Sequence, residues 1–180
     1  MTAPASGPQT PSHTTMAQPG KYLIVTLGRE SYGIPVLKVR EIIRLCPITP
    51  VANMPPHVRG VINLRGKIIP LVDLRLRFGL STEDDNDRNC IVVAQLTGSS
   101  GGSRLYGTIV NGVEEVAHFT ADDIEPTPDF GGAIDAQFIT GMAKSGPLVR
   151  TLIDLDRIAS ADMATAAVAS SPAQASASSS

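Results

Sequence analysis

The chain is poor in the residues that several kinds of functional site require. It has no tryptophan, aromatic residues make up only 4% of its 180 positions, and it has two cysteines. So few aromatic rings provide no stacking platform for the bases of a single-stranded nucleic acid. Cys46 and Cys90 are isolated and lack the spacing of metal ligands, which is typical of small apolar core residues rather than of a disulfide or a metal site. A reducing cytoplasm suits such thiols.

Long apolar runs are also missing. Arginine, lysine, glycine or proline interrupts every apolar segment before it reaches the about 20 residues needed to cross a bilayer. Residues 1–8 have neither the basic start nor the apolar segment of a secretory signal. With 42% hydrophobic residues and a net charge of −2, the composition predicts a globular cytoplasmic protein that neither inserts into membranes nor binds nucleic acid.

No catalytic motif is visible in the sequence. The three histidines (His13, His57 and His118) lie in a tail, a proline-rich loop and a strand end, with no nearby nucleophile to activate. The acidic loop at 81–89 lacks the glycine and the final glutamate of a helix-loop-helix calcium site. The sequence therefore predicts no enzymatic activity, no metal and no cofactor.

The stretch from Gly60 to Leu74 predicts a β-hairpin around which the fold is organised. Two apolar, β-branched runs flank Arg65 and Gly66, and glycine allows the positive φ of a tight turn. Because both arms are almost continuously apolar, we expect both faces of the hairpin to be covered. Five residues instead of four separate Gly60 from Gly66, and a strand-like segment follows Lys67, so this is not a phosphate-binding P-loop.

The rest of the chain reads as short strands joined by turns. Asn111-Gly112 is the strongest hairpin signal and predicts a meander between the strands on either side of it. Three short helices are predicted. The first begins at Pro35 and has Val36, Val39, Arg40 and Ile43 at helical spacing. The second follows a cap at Asp73 and has Arg75 and Arg77 on its outer side, and the third runs from Asp154 through Ile158. The predicted strands outside the central hairpin cover residues 22–27, 31–34, 42–48, 90–96, 105–110, 113–119, 138–143 and 148–153.

These elements predict an all-β protein of barrel type with a tail at each end. Residues 1–19 and the Ala/Ser-rich residues 163–180 have little to bury and are expected to be disordered, which leaves one folded domain at 20–162. If this domain were divided into two barrels, each barrel would be too small to bury much apolar surface by itself. We therefore expect the two barrels to share a core. Apolar strands favour filled interiors, whereas a barrel that binds a small ligand needs a cavity with convergent polar groups.

The central stretch, Asn63-Leu64-Arg65-Gly66 followed by Ile69-Pro70-Leu71-Val72-Asp73-Leu74, resembles the CheW family of bacterial chemotaxis coupling proteins. Residues 21–43, 107–116 and 138–158 are similar to the family in the same order, so the resemblance covers nearly everything between the tails. It implies two five-stranded, SH3-like β-barrel subdomains that share a hydrophobic interface, with a groove between them, short helices and a C-terminal helix.

The resemblance also implies a function. Proteins of this family join the cytoplasmic tip of chemoreceptors, the methyl-accepting proteins, to the regulatory domain of the histidine kinase CheA and support control of its autophosphorylation. We therefore expect a non-enzymatic scaffold held at the inner face of the membrane through receptor arrays, with the receptor's helical hairpin in the groove between the barrels. A coupling protein of a non-flagellar pathway, such as pili motility, is the alternative that the sequence leaves open.

Seven residues match family positions linked to receptor or kinase coupling: Val39, Glu41, Gly60, Arg65, Gly107, Val113 and Val116. The valines also fit a plain core, and the glycines also fit close backbone approach. Glu41 and Arg65 have opposite charges and are expected to pair between the predicted helix and the hairpin tip. Because an exposed pair adds little to stability, these two charges favour a role in recognition.

Overall fold

The computed structural model describes residues 16–80, 86–97, 101–128 and 136–169. Within these ranges lie eleven β-strands, two α-helices and three short 3-10 helices. The bounds are β1 (Gly20–Leu27), β2 (Glu30–Pro35), β3 (Val39–Arg44), β4 (Val58–Leu64), β5 (Lys67–Asp73), α1 (Leu74–Arg77), β6 (Cys90–Thr97), β7 (Ser103–Val110), β8 (Gly112–Phe119), β9 (Ile124–Glu125), β10 (Ile139–Ser145), β11 (Leu148–Ile153) and α2 (Leu155–Ala169), with 3-10 helices at Val36–Lys38, Ala121–Asp123 and Ala136–Phe138.

Parts of the predicted tails and loops lie outside the described residues, namely 1–15, the acidic segment 81–85, the turn at 98–100, and 170–180. Residues 16–19, which we assigned to the N-terminal tail, contact the folded domain. The backbone N–H of Ala17 donates to the carbonyl of Thr140 at 3.0 Å, and the hydroxyl of Tyr22 donates to the carbonyl of Gln18 at 2.6 Å. The contacts of the domain therefore begin before the predicted boundary.

The strands form two sheets. The first has the order β8-β1-β2-β11-β10-β9, and the second has the order β3-β6-β7-β5-β4. Paired strands are antiparallel except β2 with β11 and β5 with β7, which are parallel. The chain places β1 and β2 in the first sheet, crosses to the second for β3 to β7, and returns for β8 to β11. The all-β class with two subdomains is confirmed, although the first sheet gains a sixth strand, the two-residue β9.

Each sheet curls into a small barrel, and the chain between its two end strands helps to close it. In the second sheet, hereafter barrel 2, Thr49 and Val61 exchange two backbone hydrogen bonds of 2.9 Å, so the segment that follows β3 meets β4. In the first sheet, barrel 1, the 3-10 helix Ala121–Asp123 leads directly from β8 to β9. Barrel 1 therefore closes through a short connection, whereas residues 45–57 separate the end strands of barrel 2.

The strands are apolar on both faces because the molecule has three cores. In β1, Tyr22 and Ile24 fill barrel 1, whereas Leu23 and Val25 point the other way into a core shared by the two barrels. Successive side chains of a strand alternate between faces, so one strand serves both cores. Strand β6 does the same for barrel 2, with Ile91 and Val93 inside it and Val92, Ala94 and Leu96 in the shared core. The predicted shared interface is confirmed.

The prediction of a helix after Pro35 is wrong. A 3-10 turn, Val36–Lys38, is followed at once by β3, which pairs antiparallel with β6. The side chains of β3 alternate between half-buried and exposed along the strand, which is a period of two rather than 3.6. Pairing with β6 has overridden the helical spacing of the apolar residues.

The prediction of a meander at Asn111-Gly112 is also wrong. Strand β7 pairs within barrel 2, whereas β8 pairs with β1 in barrel 1. Asn111 instead marks the crossing point between the barrels, since its N–H donates to the carbonyl of Thr26 at 2.9 Å and its Oδ1 accepts from the N–H of Gly28 at 2.7 Å. A turn signal is local and does not determine which distant strand the next segment joins.

The central hairpin, β4 and β5, is covered on both faces only in the half away from its turn. Leu71 and Val72 are fully buried, one inside barrel 2 and the other in the shared core. Near the turn, Ile68 is 74% exposed while its neighbour Ile69 is 1% exposed. The expectation of two covered faces therefore fails at the hairpin tip, and the tip presents an apolar side chain to solvent.

Asp73 caps α1 as predicted, because its Oδ1 accepts from the backbone N–H of Arg75 at 3.0 Å. Arg75 does not lie on the outer side, however. Its side chain is 1% exposed, and its Nη2 lies 2.7 Å from Asp73 Oδ2. Arg59 reaches the same carboxylate oxygen at 3.1 Å. A buried carboxylate thus holds two guanidinium groups where β5 runs into α1.

Helix α2 continues to Ala169 instead of ending near Ile158, so the predicted boundary at 163 falls within it. Alanine has the highest helix propensity, so the alanines of this segment favour a helix rather than the disorder that the biased composition predicts.

Helix α2 follows barrel 1 directly but binds barrel 2 through its aspartates. Asp156 Oδ1 accepts from the N–H of Thr97 at 3.0 Å. The carboxylate of Asp162, which is 4% exposed, lies 2.8 Å from His57 Nε2 and accepts from the Tyr106 hydroxyl at 2.7 Å. Burial, together with this carboxylate, raises the pKa of Tyr106. The shared core and α2 therefore fix the two barrels in one arrangement.

Candidate functional site

The turn of the central hairpin has an unusual residue at its tip. Arg65 and Gly66 have φ of 51° and 84°, and two positive φ angles define the type I′ turn that suits a two-residue hairpin. Asn63 Oδ1 accepts from the N–H of Gly66 at 2.9 Å. Glycine and asparagine tolerate positive φ, whereas arginine is strained there. Local stability does not account for an arginine at this position.

Arg65 and Glu41 form the predicted ion pair, although Glu41 lies on β3 and not on a helix. Nη1 and Nη2 of Arg65 donate to Oε1 and Oε2 of Glu41 at 2.9 Å and 2.8 Å. The Arg65 side chain is 75% exposed, and that of Glu41 is 27% exposed. Hydrogen bonding to Glu41, followed by its charge, raises the pKa of Arg65. Such a two-point contact fixes the direction of the guanidinium but contributes little to stability at the surface.

The pair lies on a recess of about 900 Å³ at one end of barrel 2. We call its rim the barrel 2 face, which consists of Arg40, Glu41, Arg65, Lys67, Ile68 and Arg104. Sequence reasoning placed Arg65 at the hairpin tip but missed the other basic residues of this face and the exposed isoleucine. The signal for Ile68 was its position beside the turn, where the shared core that covers Val72 on the same face of β5 no longer reaches.

A second exposed face lies on barrel 1. Val113 and Val116 of β8 pair with Val25 and Leu23 of β1, and both of these β1 residues belong to the shared core. Residues paired across strands lie on the same side of a sheet. A register shift between the two pairs puts both valines on that side despite their odd spacing. They are 37% and 56% exposed, so this β8 face, Val113 and Val116, extends the apolar seam between the barrels to solvent.

The remaining predicted site residues lie inside the structure. Gly60 is buried with φ of 137°, and a Cβ there would overlap the carbonyl oxygen of Thr49. Gly107 is also buried, and a Cβ there would lie 3.0 Å from Leu71 Cδ1. Val39 is half-buried against the shared core. These three residues shape barrel 2 and its seam, whereas Glu41, Arg65, Val113 and Val116 reach the surface.

Among the residues that the structure describes, no group of three or more His, Cys, Asp or Glu side chains could hold a metal ion. Over the same residues, neither helix combines the length and the apolar character that crossing a membrane demands.

Two joined barrels with separate exposed faces define a protein-interaction module. The family model described as CheW-like domain matches residues 21–163. The chain therefore belongs to the CheW-like family, and it is a chemotaxis scaffold or adaptor.

Relatives support this assignment along most of their length. The chemotaxis protein CheW of Klebsiella aerogenes is 35% identical over 142 residues, which cover 79% of this chain and 82% of that protein. The chemotaxis protein CheW of Rhizobium meliloti is 33% identical over 140 residues, or 77% and 87% of the two chains. The crystal structure of the scaffolding protein TtCheW from Thermoanaerobacter tengcongensis matches with a TM-score of 0.69 and 33% identity over 76% of this chain and 90% of that one.

Proposed function

We propose that the chain couples chemoreceptors to the histidine kinase CheA by binding both at once and thereby supports control of kinase autophosphorylation. The observation that carries the proposal is the presence of two exposed faces on different barrels of one rigid unit. A scaffold needs separate sites so that one partner does not displace the other. The resulting complex holds the chain at the cytoplasmic side of the membrane through the receptor.

The β8 face suits the helical hairpin at the receptor tip. Val113 and Val116 are apolar, exposed and next to the seam between the barrels. An amphipathic helix binds by laying its apolar side along such a groove. The predicted docking site in the groove between barrels is therefore proposed to include these two valines.

The barrel 2 face suits the regulatory domain of the kinase, which the family resemblance describes as a double barrel of the same kind. Ile68 offers an exposed apolar contact on this face, and Glu41 holds Arg65 in a fixed direction. Protein interfaces commonly combine apolar contacts with polar groups of this kind.

Replacing Val116 with aspartate is expected to weaken binding of a receptor cytoplasmic fragment by at least about tenfold, because an unpaired carboxylate must lose water in the groove. Binding of the CheA regulatory domain should stay within about twofold of wild type, a small change in binding free energy. Isothermal titration of the purified chain with each partner measures both affinities.

Val149→Asp is the matched control, because Val149 is an exposed valine of barrel 1, at 60%, on β11 rather than on β8. It should leave both affinities unchanged. Equal losses for the two variants, or unchanged receptor binding by Val116→Asp, would show that the β8 face is not the receptor site.

A further inference from the structure

Asp162 is a buried carboxylate on α2, the helix that continues directly from barrel 1. Three side chains of barrel 2 contact it, and they come from three separate segments. Tyr106 of β7 donates to Oδ2 at 2.7 Å, whereas Oδ1 lies 2.8 Å from Nε2 of His57, just before β4, and 3.2 Å from Nε of Arg77, in α1. One side chain therefore ties the helix that extends barrel 1 to three parts of barrel 2.

Two of these partners also contact other parts of the molecule. The carbonyl of His57 accepts from the N–H of Asp73 at 2.8 Å, so His57 lies at the base of the central hairpin, where β4 begins and β5 ends. Cζ of Arg77 lies 4.7 Å from the centre of the Phe138 ring, and Phe138 belongs to the 3-10 helix that precedes β10 of barrel 1. Helix α2 is thus linked to the central hairpin, whose far end carries the ion pair of the barrel 2 face.

Stability alone gives little reason for a carboxylate at this position. A buried ion pair must lose its water, and apolar residues of similar size in its place are often neutral or stabilising. Leu155, Ile158 and Ala159 of α2 make apolar contacts in the shared core, and the hydrophobic effect that favours such contacts has no direction. Hydrogen bonds do depend on direction. The contacts of Asp162 therefore restrict how α2 lies against barrel 2 more than the apolar contacts do.

We infer that Asp162 is a positioning residue, which fixes the angle between the two barrels so that the β8 face and the barrel 2 face bind their partners at the same time. The inference rests on the proposed function, since it names the residue that sets the geometry of simultaneous binding. Asp162 belongs to neither face, so its loss should leave each single binding event intact and lower the response that requires both. Coupling between two sites is typically worth a factor of about 5 to 150.

The test is the double variant Asp162→Ala, Tyr106→Phe. Alanine favours the helix, and the second change removes the hydroxyl that would otherwise be buried without its acceptor, so the melting temperature should stay within about 5 °C of wild type. Isothermal titration should give affinities for a receptor fragment and for the CheA regulatory domain within about twofold of wild type. Receptor-dependent stimulation of CheA should fall at least about fivefold.

Hydrogen exchange measures the docking of α2 directly. In the double variant the amides of α2 should exchange at least about tenfold faster than in wild type, while those of β1 and β6 keep their wild-type rates. Asp162→Asn keeps an oxygen for the Tyr106 hydroxyl but loses the charge, so it should show the same changes to a smaller extent.

Asp123→Ala is the matched control, because it removes an aspartate whose contacts lie within barrel 1. Asp123 Oδ2 accepts from the N–H and from the hydroxyl of Thr120 at 2.8 Å and 2.9 Å. Loss of this cap should lower the melting temperature while stimulation stays at the wild-type level. A loss of stimulation in the control equal to that of the double variant would assign the effect to stability and overturn the inference.

Wild-type stimulation by the double variant, or wild-type exchange of its α2 amides, would also overturn the inference and leave the proposed function standing. So would a loss of affinity for one partner as large as the loss of stimulation, since Asp162 would then act on a single face. The same outcomes decide for Asp162→Asn if the double variant does not fold. If the folded wild-type chain does not stimulate the kinase, both the inference and the proposed function fail.

Discussion

Replacing Arg65 with asparagine is expected to reduce receptor-dependent stimulation of CheA at least about tenfold while the melting temperature stays the same or rises slightly. The reason is that Arg65 has a φ of 51°, where asparagine is favoured and arginine is strained. Asn-Gly is also the preferred pair for this type of turn. Stability and function should therefore respond in opposite directions to one substitution.

The measurement combines thermal denaturation of the purified variant with kinase autophosphorylation in the presence of receptor fragments. Arg65→His should also lower stimulation without unfolding the protein. Asn53→Gly is the control, since Asn53 has a φ of 62° but does not line the recess; it should leave stimulation intact. A large fall in the melting temperature of Arg65→Asn, in step with its lost stimulation, would assign Arg65 to structure instead.

Replacing Gly60 with alanine is expected to destabilise the protein by more than about 4 kcal/mol, the upper end of single-substitution effects. Gly60 has a φ of 137°, which an L side chain rarely adopts, and its Cβ would meet the backbone carbonyl of Thr49 rather than a flexible side chain. That carbonyl also accepts the hydrogen bond from Val61 that helps close barrel 2. Relief of the overlap therefore opens the barrel.

Denaturant unfolding followed by circular dichroism measures this loss, which we expect to appear as a much lower transition midpoint or as no cooperative transition. Gly102→Ala is the control, because φ at Gly102 is ordinary and nothing lies within 4 Å of its added Cβ. The variant should unfold like wild type. Wild-type stability in Gly60→Ala with lost partner binding would instead make Gly60 a contact residue.

The sequence determines much of this fold because local and long-range preferences agree along most strands. The Arg65-Gly66 turn, the cap at Asp73 and the nearly continuous apolar strands of the central hairpin were predictable from residues alone. Where local and long-range preferences disagree, the prediction from the sequence is wrong. Residues 36–43 have helical spacing but form a 3-10 turn and then β3, since β6 offers β3 a partner. Asn111-Gly112 has the composition of a hairpin turn but marks the crossing between barrels, and no local pattern encodes that crossing.

The candidate site was predictable in part for the same reason. Opposite charges at Glu41 and Arg65 indicated a pair across distant segments, and the structure contains it. The grouping of Arg40, Lys67 and Ile68 on one face was not visible, because strands from separate parts of the chain bring them together. Burial also separates the seven family positions into four at the surface and three that support it, a distinction that residue type does not reveal.

The proposed coupling requires one rigid molecule to bind the receptor and CheA at the same time. Kinase autophosphorylation with receptor fragments tests this with an equal mixture of two variants, Val116→Asp and Arg40→Glu with Lys67→Glu. Each variant keeps one working face, so the mixture contains both faces on separate molecules. We expect the mixture to leave the kinase unstimulated, whereas the same total amount of wild-type chain stimulates it. Stimulation by the mixture at the wild-type level would show that the two partners need not bind the same molecule.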